Sequence, residues 1–126
     1  VMVLQRLASW WTATFGLAVR IRHVFSCEQI EFKRDFISAH FKPEAVFESM
    51  EDVGTSSSAR DTLSGEIKPI QSANIWACGI ECHTLSGLNG MSQVGKAVTQ
   101  SGDGKTGSTA KDCMGYIRRA AVDHHP

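Results

Sequence analysis

Cys82 follows a strand-like run at residues 73–78 and the turn-forming Gly79, and it precedes a stretch rich in glycine and serine. A sulfur carried out at the top of a sheet in this way can act as a nucleophile once it is a thiolate. His83, next to it, is the neighbouring group that would lower the thiol pKa; the competing reading is a small buried hydrophobe. Glu28 stands just past a second strand-like run. A carboxylate there can accept hydrogen bonds from both vicinal hydroxyls of a ribose, or it can simply start a helix and complement its positive end. Cys78, Cys82 and His83, with His124 and His125, invite a zinc site, but no second Cys-x-x-Cys or His-x-x-x-His pair completes four ligands. Gly102-Asp103-Gly104-Lys105-Thr106 has the ending of a phosphate-binding loop, yet the first glycine of that pattern falls at Thr99 and no convincing buried strand precedes it. A solvated loop accounts for it better.

These residues must be held by a chain of 126 residues with 13 basic and 13 acidic side chains. A net charge of zero gives no broad footprint for non-specific phosphate binding. Apolar residues and glycine together make up about half the chain, the ordinary globular proportion, which argues against wholesale disorder. The length suits a single domain. No apolar run approaches the ~18 residues of a membrane helix, and no signal peptide precedes the four scattered cysteines, so an intracellular, reduced protein is expected. Val1 in place of an initiator methionine, and a last helix running almost straight into His124-His125-Pro126, give both ends a cut appearance.

The elements follow from periodicity. Leu4, Leu7, Trp11 and Phe15 recur at helical spacing over residues 3–15, with Gly16 as a stop. Residues 19–25 alternate, with Val19, Ile21 and Phe25 against Arg20 and Arg22, which predicts a strand. Residues 29–41 return to the helical period, with Ile30, Phe36, Ile37 and Phe41 on the apolar side and Pro43 closing the helix. A short strand at 45–47 follows. Residues 54–72, Ser-rich and Gly-containing from Gly54 to Gly65, read as a surface loop, 73–78 as a buried strand, and 84–108 as a long loop. A final helix over 110–121 places Met114, Ile117 and Ala121 on one face. This alternation of helix and strand predicts an α/β fold, a doubly wound parallel sheet covered by helices. Such sheets bind ligands at the carboxyl ends of their strands, here Cys27-Glu28, Glu48-Ser49 and residues 79–82.

Arg22-His23-Val24-Phe25-Ser26-Cys27-Glu28 followed by Glu31-Phe32-Lys33-Arg34 resembles the second strand and ribose-binding acid of the DNA cytosine-5 methyltransferases. Ile75-Trp76-Ala77-Cys78-Gly79-Ile80-Glu81-Cys82-His83, running on to Asn89, looks like that family's strand and loop bearing the catalytic cysteine, with the usual Pro-Cys-Gln relaxed. Gly104 to Thr109 and the helix through Tyr116 resemble the stretch after that loop. The resemblance spans most of residues 16–126 and implies a Rossmann-like sheet, S-adenosylmethionine as cofactor, DNA as partner, and a nuclear location in a eukaryote. It further implies Cys82 as the nucleophile that attacks carbon 6 of a flipped-out cytosine and Glu28 as the ribose ligand. The adenine-contacting position, two residues after Phe47, falls at Ser49, beside Met50. Glu48, in an extended segment, is expected to point the other way.

The family's Gly-rich first strand should precede the first helix, and residues 1–15 contain no glycine. The family's cytosine-engaging glutamate strand and DNA-reading region would follow Pro126. The expectation is therefore a partial methyltransferase-like domain over 1–126, inactive by itself, with its first strand missing. In the doubly wound order that strand lies between the strands at 19–25 and 73–78, whose edges would stand open without it. An alternative function is a non-catalytic subunit that docks on a larger protein through Leu4, Leu7, Trp10, Trp11 and Phe15 of the first helix.

Overall fold

The computed structural model of the protein describes residues 2–79 and 104–124. In chain order these form helix α1 (Met2–Phe15), strand β1 (Ser26–Cys27), helix α2 (Glu31–Phe41), strand β2 (Val46–Phe47), helix α3 (Met50–Thr55), strands β3 (Ser58–Arg60) and β4 (Ile67–Pro69), and helix α4 (Gly104–His124). Strands β1 and β2 pair in parallel, Ser26 opposite Val46 and Cys27 opposite Phe47. Joined through α2, they form a parallel crossover unit. Strands β3 and β4 make a separate antiparallel hairpin.

Helix α1 stops at Gly16, whose φ of +67° is the left-handed geometry that ends helices. Its apolar stripe is mostly uncovered, and Ala8 is its buried residue. Helix α2 starts where Glu28 accepts the Ile30 N–H (3.0 Å) and ends on Lys42 in the left-handed conformation, just before Pro43. Its inward side is formed by Arg34, Ile37, Ser38 and Phe41; Phe36, expected to face inward, is exposed.

The core gathers Phe25, Ala45, Phe47, Val53, Ala59, Tyr116 and Ala120, with Trp76 packed against it. Phe25 is the hub, its ring 5.5 Å from Phe47 and 5.4 Å from both Trp76 and Tyr116. Helix α4 turns Ala110, Cys113, Tyr116 and Ala120 inward. The expected face of Met114, Ile117 and Ala121 is therefore rotated outward. The cause is close backbone contact with α3: a Cβ on Gly54 would lie 2.5 Å from the Asp112 carbonyl oxygen, and one on Gly115 would lie 2.6 Å from that of Gly54. Arg119 reaches across the same contact and donates to the carbonyls of Gly54 (2.8 Å) and Val53, which the end of a short helix leaves unpaired.

Residues 54–72 are not a loop. They carry the end of α3 and the β3–β4 hairpin, organised by Asp61, which is fully buried. Its carboxylate accepts the N–H groups of Val46 (2.9 Å), Leu63 (3.2 Å) and Ser64 (3.3 Å), the Ser64 hydroxyl (2.8 Å), and the ammonium of Lys68. Low apolar content disguised this segment, because its order comes from one buried charge rather than from apolar side chains. The strand expected over 19–25 is displaced to Ser26–Cys27, and residues 73–78 form no strand. Helix α4 begins at Gly104 rather than 110. Glycine, serine and threonine are weak helix formers, but a helix anchored on α3 extends cheaply once nucleated. Among the described residues, no helix is long and apolar enough to cross a membrane.

Candidate functional site

A cleft of about 900 Å³ opens between residues 20–30 on one side and 71–79 on the other, with Glu48, Met50, Ser108 and Thr109 at its margin. Two features place Glu28 there. Its N–H donates to the Phe47 carbonyl (3.0 Å), which extends the parallel pairing one residue past β1, and its carboxylate caps Ile30. One carboxylate oxygen is thus used by the helix start. Arg34 fixes the turn after β1 by donating to the carbonyls of Glu28 (3.1 Å) and Gln29 (2.6 Å), and its guanidinium stands 3.8 Å from Glu48.

The two cofactor positions expected after β2 separate. Met50 is half-buried, lines the cleft and packs on the core. The Ser49 hydroxyl instead accepts the Asp52 N–H (3.2 Å) as the N-cap of α3, and Ser49 does not line the cleft. Glu48, expected to point elsewhere, lines it. The strand end thus offers a carboxylate one residue earlier than the family pattern implied. A signal for this lies in Glu48-Ser49-Met50-Glu51-Asp52, where a serine before an acidic helical turn reads as an N-cap and so commits its hydroxyl.

Cys82 and His83 lie outside the described residues, as does most of the 84–108 segment. Among the described cysteines, Cys27 and Cys113 are unsuited to nucleophilic work. Burial, reinforced by the Glu28 carboxylate, pushes the Cys27 thiol up to about 12. Burial, together with a hydrogen bond to Cys78, does the same to Cys113, also to about 12. Both are neutral thiols at physiological pH. His23, on the cleft wall, bonds the Ser26 hydroxyl through Nε2 (2.9 Å), and burial lowers its pKa, which favours the neutral ring.

Glu28 and Glu48 therefore stand at the carboxyl ends of two adjacent parallel strands, facing one cleft with an apolar floor of Val24, Met50 and Trp76. Paired carboxylates over an apolar floor suit a polar ring-bearing ligand such as a nucleoside, with a hydroxyl acceptor at the rim and a flat surface below. The chain is similar to a DNA (cytosine-5-)-methyltransferase of Cryptococcus neoformans var. grubii, with 25% identity over 118 residues, which is 94% of this chain and 5% of that protein. It thus spans about one-twentieth of the length of this curated relative. No protein-family model matches the chain, and no solved structure matches it.

Proposed function

We propose that this chain is part of the catalytic domain of an S-adenosylmethionine-dependent DNA cytosine-5 methyltransferase-like protein, in which β1–α2–β2 belongs to a doubly wound sheet. The observation that carries this reading is the convergence of Glu28, Glu48 and Met50 on one cleft at the ends of parallel strands. The distant likeness to a cytosine-5 methyltransferase supports it. The described residues fit the adenosine half of the cofactor. The free oxygen of Glu28 would accept from the ribose hydroxyls, Glu48 would accept from the adenine amino group, and Met50 would lie against the ring face. The cofactor, when bound, supplies an electrophilic methyl group.

Cys82 follows the cleft wall at Cys78 by four residues in the sequence and is the proposed nucleophile. Its thiolate would form a bond to carbon 6 of a cytosine turned out of the DNA stack, making carbon 5 nucleophilic. After methylation, loss of the carbon 5 proton would break the sulfur–carbon bond and restore the ring. By itself the chain is expected to bind the nucleoside without transferring methyl groups. Calorimetric titration with S-adenosylhomocysteine tests the cofactor half. Glu28→Gln should weaken binding by about tenfold or more, the worth of a charge-assisted hydrogen bond. Binding unaffected by Glu28→Gln, or no binding at all, would overturn the assignment.

A second reading rests on α1, where Trp10 and Trp11 are 54% and 43% exposed. An uncovered tryptophan pair of this kind suits docking on a protein partner. Light scattering tests it: if the chain is a clean monomer with or without detergent and its α1 tryptophans are shielded from quenchers, the docking role is discarded.

A further inference from the structure

The proposed methyl transfer makes no use of Cys27, Cys78 or Cys113, all three of them free thiols. They are remote in sequence, and the aromatic core brings them together. Phe25, Trp76 and Tyr116 meet in a triangle of rings: Trp76 lies 5.4 Å from Phe25 and 4.5 Å from Tyr116, and Phe25 lies 5.4 Å from Tyr116. Each ring has a cysteine close along its own segment. Cys27 follows Phe25 by two residues in the run that pairs with β2, and so shares its face. Cys78 follows Trp76 by two residues. Cys113 precedes Tyr116 by about one helical turn, and both are buried on the inner side of α4. The Tyr116 hydroxyl also donates to the Gln71 carbonyl (3.1 Å), a second tie between α4 and the segment that carries Cys78. Within this cluster, Cys113 and Cys78 are hydrogen-bonded to each other. Cys113 is only 3% exposed, whereas Cys78 is open to solvent on the cleft wall.

We propose that Cys78 and Cys113 are a site of reversible oxidation, an exposed thiol and a buried one that a low-molecular-weight disulfide such as glutathione disulfide joins by exchange. The pair has the two parts this chemistry needs, one sulfur that the reagent reaches and one that resolves the adduct. The Cys78 thiolate attacks a sulfur of glutathione disulfide, forming a mixed disulfide and expelling one glutathione thiolate, which takes up the proton that Cys78 gave to solvent. The Cys113 sulfur then attacks the Cys78 sulfur. Its proton leaves with the second glutathione, and a protein disulfide remains. Two protein thiols are oxidised, and one glutathione disulfide is reduced to two glutathiones. Burial keeps the reagent from Cys113, so its route to oxidation runs through Cys78. Cys27, half-buried at the same cleft, is the competing partner, and the hydrogen bond selects Cys113 over it. The link would clasp the cleft wall to α4, four positions before Cys82. The proposal rests on thiol geometry and not on the methyltransferase reading.

The test is mass-spectrometric peptide mapping of the full chain after treatment with glutathione disulfide at neutral pH and an acid quench. In the folded chain, the Cys78–Cys113 link should exceed every other protein disulfide by about tenfold or more. In urea that preference should vanish, because pairing is then set by separation along the chain. Cys113→Ala, on a face that already carries Ala110 and Ala120, should stop the reaction at the mixed disulfide, with glutathione retained on Cys78. Cys78→Ser should leave Cys113 unmodified. A dominant Cys27–Cys78 or Cys78–Cys82 link in the folded chain would overturn the proposal, as would the same distribution of links with and without urea. So would wild-type chain that keeps glutathione on Cys78 unresolved, takes it directly on Cys113, or leaves both thiols unreacted.

Discussion

Helices α1 and α4 are both amphipathic and both longer than three turns, at 14 and 21 residues, yet only α4 is built into the fold. Helix α4 buries Ala110, Cys113, Tyr116 and Ala120 and meets α3 backbone to backbone at Gly54 and Gly115. Helix α1 buries Ala8 and leaves Leu7, Trp10, Trp11 and Phe15 open, the last three resting on one another. A periodic apolar stripe therefore specifies a helix but not a partner. Docking was decided by small residues that allow close approach, Gly54 and Gly115, and by Arg119, which satisfies the α3 carbonyls at the contact.

Breaking the docked region should cost most at its buried charge. Asp61→Ala strips acceptors from the Val46, Leu63 and Ser64 N–H groups and removes the ion-pair partner of Lys68, which keeps only the Glu44 carbonyl, for an expected loss of about 3–5 kcal/mol in urea denaturation. An unchanged midpoint would show that the hairpin does not depend on it. Burial alone would raise the Asp61 pKa, but the Lys68 ammonium and the Val46, Ser64 and Leu63 donors outweigh it and hold the carboxyl below its usual range. Because the folded pKa lies below the unfolded one, the stabilisation is complete above about pH 4 and is lost as pH falls toward the depressed value. Acid titration of wild-type stability should show this fall, and Asp61→Asn should flatten it.

Next comes Gly54→Ala, whose new methyl would meet the Asp112 backbone. About 2–3 kcal/mol is expected, since backbone cannot step aside as a side chain can. Arg119→Ala should cost about 2 kcal/mol through the two uncapped α3 carbonyls, read from the same transitions. Smallest of all, Trp10→Ala and Trp11→Ala should each change stability by less than about 0.5 kcal/mol. A loss above that from either would mean that α1 is packed in solution and that the two helices are not so different.

The sequence made the helices legible because their signal is local. Residues 3–15 and 29–41 were placed within two residues, and Gly16 and Pro43 marked real ends. Pairing was harder to see, because it depends on neighbours remote in the chain. The alternation at 19–25 was real, but a strand needs a partner, and β2 reaches only far enough to pair regularly with Ser26 and Cys27. Among the described residues no strand pairs with 73–78, so their apolar run makes no ladder. Asp61-Thr62-Leu63-Ser64 carried the mark of a turn bonded by its own aspartate, but nothing local announced that this carboxylate would also seal the edge of β2. The strand-end rule pointed to Glu28 and Glu48, both of which line the cleft, whereas Ser49, the position the resemblance indicated, is committed to capping α3.

The three tryptophans are divided unevenly between the two regions. Trp76 is wedged 4.5 Å from Tyr116 and 5.4 Å from Phe25, whereas the pair on α1 meets solvent. The chain's intrinsic fluorescence is consequently a sum of two colours, a red component that iodide extinguishes readily and a bluer one that it quenches less. Loss of the second would time the melting of the aromatic centre without any label, while the first reports only on what touches α1.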